Sequence, residues 1–245
     1  MIRITYNTPF RGTIPTSSFT YYRWETRLAT DEKIRFIAIE GVLKPENTAL
    51  ARNLSQMANA RPILEAEFLS PLVNIHSTDP KDMAFKKHML HLMDRYKMLK
   101  QIHQTEIFFE QVICDYLFYA DRVYANLKLD NEDMHLYDTM MNVMERELPI
   151  PDLVIYLQSN IDTVMEKIHT RHALGNASKE RQRMDETYIA ALNEEFNQFF
   201  LYYRWSPVLI VNANQLDPEN THHLEDLYQR LDTRLSGVVY YNPPA

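Results

Sequence analysis

The segment at residues 36–48 reads FIAIEGVLKPENT, an apolar run followed by the outline of a phosphate-binding loop. Such loops have the form G-x-x-x-x-G-K-S/T, in which small residues let backbone N–H groups surround the phosphates and the lysine neutralises their charge. Gly41 and Thr48 occupy the first and last positions of this pattern. Glu46 replaces the second glycine, and Asn47 replaces the lysine. These substitutions predict that the loop no longer forms a tight cradle for a triphosphate.

The overall composition agrees with this interpretation of the loop and limits the class of protein. Only four glycines occur in 245 residues, although phosphate loops usually need several. A helix-rich fold is an alternative explanation for this scarcity. The formal net charge of −7 argues against a protein that binds nucleic acid, because such proteins need a net basic face.

The elements that must position any site alternate along the chain. Short apolar runs are separated by longer stretches whose apolar residues recur at a helical period, and this alternation predicts an α/β fold with a five-stranded parallel sheet covered by helices. The strands are predicted at Ile34–Ile39, Ile63–Leu64, Val112–Asp115, Leu153–Leu157 and Val208–Val211. The helices are predicted at Thr48–Asn59, Lys81–His103, Glu132–Glu147, Ile161–Thr170, Asp185–Tyr203 and His222–Leu235.

The single cysteine and the hydropathy indicate the compartment. Cys114 lies in an apolar run and has no second cysteine to pair with, so we expect a reducing compartment, either the cytoplasm or the mitochondrial matrix. No apolar run approaches the roughly 20 residues that span a bilayer, and no signal-peptide core follows Met1. We therefore expect a soluble protein with no transmembrane segment.

Seven segments in a fixed order carry a resemblance to a known family. They are Phe36–Gly41, Ala60–Glu65, Asp94–Lys97, Cys114–Phe118, Leu148–Gln158, Leu192–Phe200 and Ser206–Asn212. In this order they resemble the deoxynucleoside kinases, especially the bacterial deoxyadenosine/deoxyguanosine kinase branch. The resemblance implies a P-loop NTPase-like three-layer α/β/α domain over residues 34–235, with a lid at about residues 171–184.

The resemblance assigns catalytic roles to residues that follow predicted strands. Glu65 matches the carboxylate that takes the proton from the nucleoside 5′-hydroxyl, a role that needs hydrogen-bond reach of the attacking oxygen. Asp115 matches an acid that helps to hold magnesium, together with Thr48. Tyr116 stands where many members place an arginine. Without the resemblance, Glu65 is more simply a solvated acid at the end of a strand.

The resemblance also implies substrate contacts. Arg95 and Asp121 match the pair that reads the nucleobase, and the alternative is an ion pair that joins two helices. His88 stands at the position of a base-reading glutamine, although its neighbours Lys86 and Lys87 are typical of a helix surface. Ser77 replaces the tyrosine that touches the sugar.

The lid of the family carries paired arginines that stabilise the transferring phosphates. Arg171 remains in this chain, whereas Ala173 stands where its companion is expected. Arg181 and Arg183 could replace the missing charge from a shifted register, or they could pair with neighbouring acids on a helix.

The pattern of kept and lost residues favours a pseudokinase with a structural or binding role over an active enzyme. A deoxynucleoside-kinase-like accessory subunit of respiratory complex I is a precedent for such reuse of the fold. On this hypothesis no cofactor is expected. The alternatives are an active kinase that uses ATP and Mg²⁺, with Lys44, Arg181 or Arg183 replacing the loop lysine, and a nucleoside-binding sensor without turnover.

The two ends of the chain are predicted to contact protein partners. Residues 1–33 form an extension that lacks a helical period but carries several aromatic residues, and residues 236–245 form a short tail. An ordered arm on the protein's own surface is the alternative for the first of these. Because the family's kinases are usually dimers, a homodimer or a hetero-complex is expected.

Overall fold

A computed structural model describes residues 34–65, 80–102, 109–173, 186–231 and 235–244. Their core is a sheet of six parallel strands in the order β2-β3-β1-β4-β5-β6. The strands are β1 Phe36–Gly41, β2 Arg61–Ile63, β3 Val112–Cys114, β4 Leu153–Gln158, β5 Val208–Asn212 and β6 Val238–Tyr241. This arrangement confirms the predicted parallel α/β fold.

Helices connect the strands and cover both faces of the sheet. They are α1 Lys44–Ala58, α2 Pro80–Lys100, α3 Asp121–Asn126, α4 Asn131–Met144, α5 Ile161–Ala173, α6 Glu186–Tyr202 and α7 Thr221–Leu231. Short 3₁₀ turns at Phe118–Ala120 and Glu145–Glu147 precede α3 and follow α4. No helix within the described ranges is both long enough and apolar enough to cross a membrane.

Alternating side chains of the central strands build separate cores on the two faces. Ile37 and Ile39 of β1 pack with α1 and α7 on one face. Phe36 and Ala38 point to the other face, which α2, α3, α4 and α6 cover. Because both faces are buried, β1 reads as a continuous apolar run, as expected for a central parallel strand. The carboxyl ends of the strands therefore share one edge, where a site can form.

The strand count and the C-terminal tail differ from the sequence prediction. The sheet has six strands instead of five, because Val238–Tyr241 pairs in parallel with β5. Part of the expected tail at residues 236–245 is thus built into the sheet. Side-chain burial alternates along this edge strand, where Tyr240 is exposed and Tyr241 is buried.

Helix α1 begins at Lys44, earlier than the predicted start at Thr48. Pro45 lies in the first turn, where its missing N–H group is not needed and its fixed φ favours the helix. The short helix α3 is also absent from the sequence prediction. The N-terminal extension and most of the predicted lid lie outside the described residues.

Candidate functional site

The second half of the degenerate loop, from Lys44 onwards, forms the start of helix α1. The amides of Glu46 and Asn47 donate to the carbonyl oxygen of Leu43, at 2.9 and 3.3 Å, as the first turn of α1 forms. In a phosphate site, the amides at a helix N-terminus point to the anion. Two of the amides that a phosphate would use are thus taken up by the backbone.

The space inside the loop is filled by side chains. Asn47 is fully buried, and its Nδ2 atom donates to the carbonyl oxygen of Gly41 at 3.2 Å. A Cβ atom added to Gly41 would lie only 3.0 Å from Asn47 Oδ1 and from Leu157. The space between Leu43, Glu46, Asn47 and Leu157 does not admit a water molecule. The interior of the loop is therefore closely packed with its own side chains in this conformation.

Glu46 contributes to the fold in place of the missing glycine. Its carboxylate lies 3.0 Å from Lys167 Nζ of α5, and only 7% of Glu46 is exposed. Lys167 also donates to the carbonyl oxygen of Ala213, at 3.0 Å, beyond the end of β5. The pair therefore links α1, α5 and the loop after β5.

A second ion pair joins Lys44 to Glu40. Glu40 is fully buried and also accepts hydrogen bonds from the amides of Gly41 and Leu117, both at 3.0 Å. Lys44 Nζ lies 5.2 Å from the ring centre of Tyr124, and about a quarter of the lysine side chain (26%) is exposed. Lys44 is therefore the basic residue closest in sequence to position 47, where the loop lysine is missing. Its ammonium group is already paired with the carboxylate of Glu40.

Thr48 and Asp115, the two residues predicted as magnesium ligands, are in direct contact. Thr48 Oγ1 donates to Asp115 Oδ2 at 2.6 Å, and the amide of Glu65 donates to Asp115 Oδ1 at 2.8 Å. Burial raises the pKa of Asp115, which Thr48, Glu65 and Lys44 only partly offset. A hydroxyl and an aspartate fit Mg²⁺ in nucleotide sites, so these two side chains are suitable ligands. Among the described residues, no group of three or more His, Cys, Asp and Glu is arranged to hold a metal ion.

The predicted substrate residues meet in one buried network. Arg95 Nη2 lies 2.7 Å from Glu65 Oε1, and Arg95 Nη1 pairs with Asp121 Oδ1. Tyr137 donates its hydroxyl to Asp121 Oδ2 at 2.7 Å, and the Arg95 guanidinium lies 4.9 Å from the ring centre of Tyr116. The network joins α2, α3 and α4 to the end of β2.

The charges of this network control the pKa of Glu65. Burial alone would raise it, but Arg95 and Lys44 lower the pKa of Glu65 to about 2. Burial alone would lower the pKa of Arg95, but the negative charges of Asp121 and Glu65 raise this pKa well above its usual value. Glu65 is thus ionised at neutral pH and can accept a hydrogen bond from a hydroxyl group.

His88 lies beside this network, half-buried, and not on an exposed helix face. Its ring meets the ring of Tyr137 edge to face, with centres 6.4 Å apart. Burial lowers the pKa of His88, although Asp121 partly opposes this change. His88 therefore lies next to Tyr137 and Asp121 of the network, and its role in substrate binding stays a prediction.

Other predicted residues are only partly described. Arg171 lies in the last turn of α5, where the structure describes the backbone alone. Ser77, Arg181 and Arg183 lie outside the described residues. Their contributions to the site stay predictions.

Sequence reasoning missed Glu40, Lys167 and Tyr137 as parts of the site. Glu40 has a sequence signal, because it is a charged residue inside a buried apolar run. Lys167 and Tyr137 have none, because each is far along the chain from its partner.

The residues above form two regions. The donor loop consists of Glu40, Gly41, Lys44, Glu46, Asn47 and Thr48 with their partner Lys167, at the position where a phosphate donor would bind. The acceptor network consists of Glu65, His88, Arg95, Asp121 and Tyr137. The donor loop is filled by its own side chains, whereas the charged side chains of the acceptor network pair with one another.

Comparisons with known proteins cover both regions. The model of the family described as "Deoxynucleoside kinase" matches residues 37–236. A deoxyguanosine kinase of Bacillus subtilis (strain 168) is 26% identical over 190 residues, which cover 76% of this chain and 83% of the relative. A deoxyadenosine kinase of Lactobacillus acidophilus is 21% identical over 217 residues, covering 84% of this chain and 98% of the relative.

A solved structure also shares the fold. The deoxyadenosine kinase from M. mycoides with bound dATP superposes with a TM-score of 0.65 at 23% sequence identity. The superposition covers 81% of this chain and all of that one (100%). The family match ends before β6 begins at Val238.

Proposed function

We propose that this chain, which belongs to the deoxynucleoside kinase family, is a pseudokinase that keeps the kinase fold but does not transfer a phosphoryl group. The observation that carries the proposal is the filled donor loop. Asn47 occupies its interior and Glu46 pairs with Lys167, so a triphosphate would have to displace both.

The number of lost phosphate-binding groups supports this proposal. Phosphoryl transfer depends almost wholly on positioning and on stabilising negative charge. Losing one such stabilising donor costs about 3 kcal/mol, which is roughly a hundredfold in rate. Here the loop lysine and the second loop glycine are both replaced, and a carboxylate has been added.

The pseudokinase would serve as a structural or binding subunit of a larger assembly. An accessory subunit of a respiratory complex in the mitochondrial matrix is one such role. Support comes from the ion pairs that the site residues form with one another. Through them, Arg95 and Lys167 each join elements that are distant in the sequence.

Nucleoside binding without turnover is a second candidate, and the acceptor network favours it. Arg95, Asp121 and His88 are close enough to meet one ligand, and Glu65 is ionised beside them. This function needs none of the donor loop.

Active phosphotransfer is a third candidate, and Lys44 is the observation in its favour. Lys44 lies at the start of α1, and its charge lowers the pKa of both Glu65 and Asp115. Thr48 and Asp115 fit Mg²⁺. For catalysis, however, Lys44 would have to leave Glu40, and Asn47 would have to leave the loop.

A phosphotransfer assay tests the proposal against the third candidate. The purified full chain is incubated with ATP, Mg²⁺ and a panel of deoxynucleosides, and nucleoside monophosphate is measured. We expect the unchanged protein to show no more turnover than the variant Glu65→Gln. This variant sets the background, because it lacks the carboxylate base. Turnover at about 1 s⁻¹ or faster, the usual range of kinases, that is lost in Glu65→Gln would overturn the proposal.

A further inference from the structure

A separate pocket lies at the carboxyl ends of β4, β5 and β6, on the face covered by α6. Its volume is about 420 Å³, within the range of about 300–1,000 Å³ that is usual for small-molecule sites. None of its lining residues belongs to the donor loop or to the acceptor network. The proposed function leaves this pocket unused.

Amide side chains dominate the lining, to which Gln158, six asparagines and no acidic or basic residue contribute. The asparagines are Asn160, Asn193, Asn197, Asn212, Asn214 and Asn242. A charged ligand would find no ion pair here to repay the loss of its water. Amides supply both hydrogen-bond donors and acceptors, so the pocket suits an uncharged ligand that carries both.

Hydrogen bonds inside the lining hold these amides in place. Tyr156 and Gln158 both donate to Asn197 Oδ1, each at 2.9 Å. Asn212 Nδ2 donates to Asn242 Oδ1 at 3.0 Å, which joins β5 to the residue after β6. Groups fixed in this way lose little freedom when a ligand binds, which favours affinity.

Asn193 supplies the observation that points to a ligand. Only 7% of this residue is exposed, and its Oδ1 atom has no hydrogen-bond partner among the described residues. An unpaired buried acceptor destabilises the folded protein, because it has lost its hydrogen bond to water. A ligand that donates an N–H group to Asn193 Oδ1 would remove this cost.

The pocket depends on the strand that lies beyond the family match. Tyr240, Tyr241 and Asn242 line it, and all three come after residue 236, where the match ends. Tyr240 is 70% exposed, so its ring is accessible as a flat apolar surface. The site is therefore tied to a feature of this chain that the family model does not include.

We propose that the pocket binds an uncharged planar ring with neighbouring N–H donors and oxygen or nitrogen acceptors on its edge, a free nucleobase or a similar cyclic amide. Asparagine and glutamine match such edges, because one amide can donate and accept side by side. Aromatic rings pack against planar ligands through their faces, which gives Tyr240 a role at the pocket.

Titration calorimetry with the full chain tests this proposal. The probes are free adenine, cytosine and uracil, with glucose and maltose as uncharged ligands of another class. We expect saturable binding of at least one base and none of the sugars. Binding of a sugar in place of the bases would overturn the proposal, as would the absence of binding by any base.

The variant Asn193→Leu shows whether the base binds in this pocket. Leucine has nearly the same size but offers no acceptor, so we expect the affinity to fall tenfold or more. The unfolding temperature should stay unchanged or rise, because the variant leaves no buried polar atom unpaired. Unchanged affinity in Asn193→Leu would place the ligand elsewhere, for example in the acceptor network, and would overturn the proposal.

A surface variant keeps the test valid if Asn193→Leu does not fold. Tyr240→Ala removes the exposed ring and changes nothing in the core. We expect it to weaken base binding severalfold, and equal affinity in this variant would contradict the proposed role of Tyr240 in a base site.

Discussion

The donor loop and the acceptor network have diverged from the kinase pattern to different degrees. In the donor loop, the glycine and lysine positions hold Glu46 and Asn47, which now pair with Lys167 and fill the loop. In the acceptor network, Glu65, Arg95 and Asp121 all match the family. A phosphate loop serves its ligand, whereas the acceptor residues also join three helices to a strand. Residues with a structural role can therefore be retained whether or not the chain transfers a phosphoryl group.

This difference limits what a retained residue can prove. Arg95, Asp121 and Glu65 form ion pairs with one another, so their presence is explained by stability alone as well as by nucleoside binding. The donor loop is more informative, because Glu46 and Asn47 have partners that a triphosphate would have to displace.

The largest expected effect on stability comes from Arg95→Met in the acceptor network. The variant leaves Glu65 and Asp121 buried beside each other without a positive charge, which should lower the free energy of unfolding by about 3–5 kcal/mol. Urea unfolding measures this. Lys100→Met on the same helix is the matched control, because its pair with Glu147 is exposed and should contribute nothing measurable. Equal losses in both variants would show that the network does not stabilise the fold.

Acid should weaken the acceptor network through Glu65. Since the folded-state pKa of Glu65 is about 2 against an ordinary 4.5, its ionised form stabilises the fold above pH 4.5 by about 3 kcal/mol. This contribution is lost as the pH falls from 4.5 towards 2. Asp115 acts in the opposite direction, because burial raises its pKa and its protonated form favours the folded state.

Urea unfolding across this pH range measures the effect. Glu65→Gln should be less stable than the unchanged protein at neutral pH, and the difference should shrink between pH 4.5 and 2. A difference that stays constant over this range would show that Glu65 is not held ionised by Arg95 and Lys44.

A smaller effect is expected from Lys44→Met in the donor loop. The variant leaves Glu40 fully buried with only amide donors and should cost about 2 kcal/mol, since hydrogen bonds to charged groups contribute about 1.5–3 kcal/mol. The cost should be below that of Arg95→Met, because Lys44 is partly exposed. The double variant Glu40→Gln with Lys44→Met removes both charges and should recover part of the loss. No recovery would mean that Lys44 stabilises the loop by another contact.

The sequence was enough to predict the sheet and the positions of most helices. Continuous apolar runs such as Ile37–Ile39 can only be buried strands, and the helical period of α2 is clear over many residues. β6 was missed because four residues with two aromatic side chains are too short to separate from a tail. The early start of α1 was missed because the loop template placed Thr48 at the first helical position, whereas Pro45 favours a helix start.

The candidate site could be predicted only where the family pattern marks a residue. Glu65, Arg95, Asp115 and Asp121 were identified in this way, and the structure brings Glu65 into contact with both Arg95 and Asp115. The pairs Glu46–Lys167 and Tyr137–Asp121 were not predicted, because polar contacts between distant residues leave no periodic signal in one sequence. The unpaired acceptor of Asn193 also requires coordinates to be seen.

Calorimetric titration of the full chain with ATP and Mg²⁺ shows whether the donor loop is closed to a triphosphate. We expect no saturable heat up to millimolar nucleotide. We also expect the double variant Glu46→Gly with Asn47→Lys, which restores the loop residues, to bind ATP more tightly than the unchanged protein. Micromolar binding of ATP by the unchanged protein, weakened by Thr48→Ala or Lys44→Met, would contradict the claim that the donor loop is closed to a triphosphate.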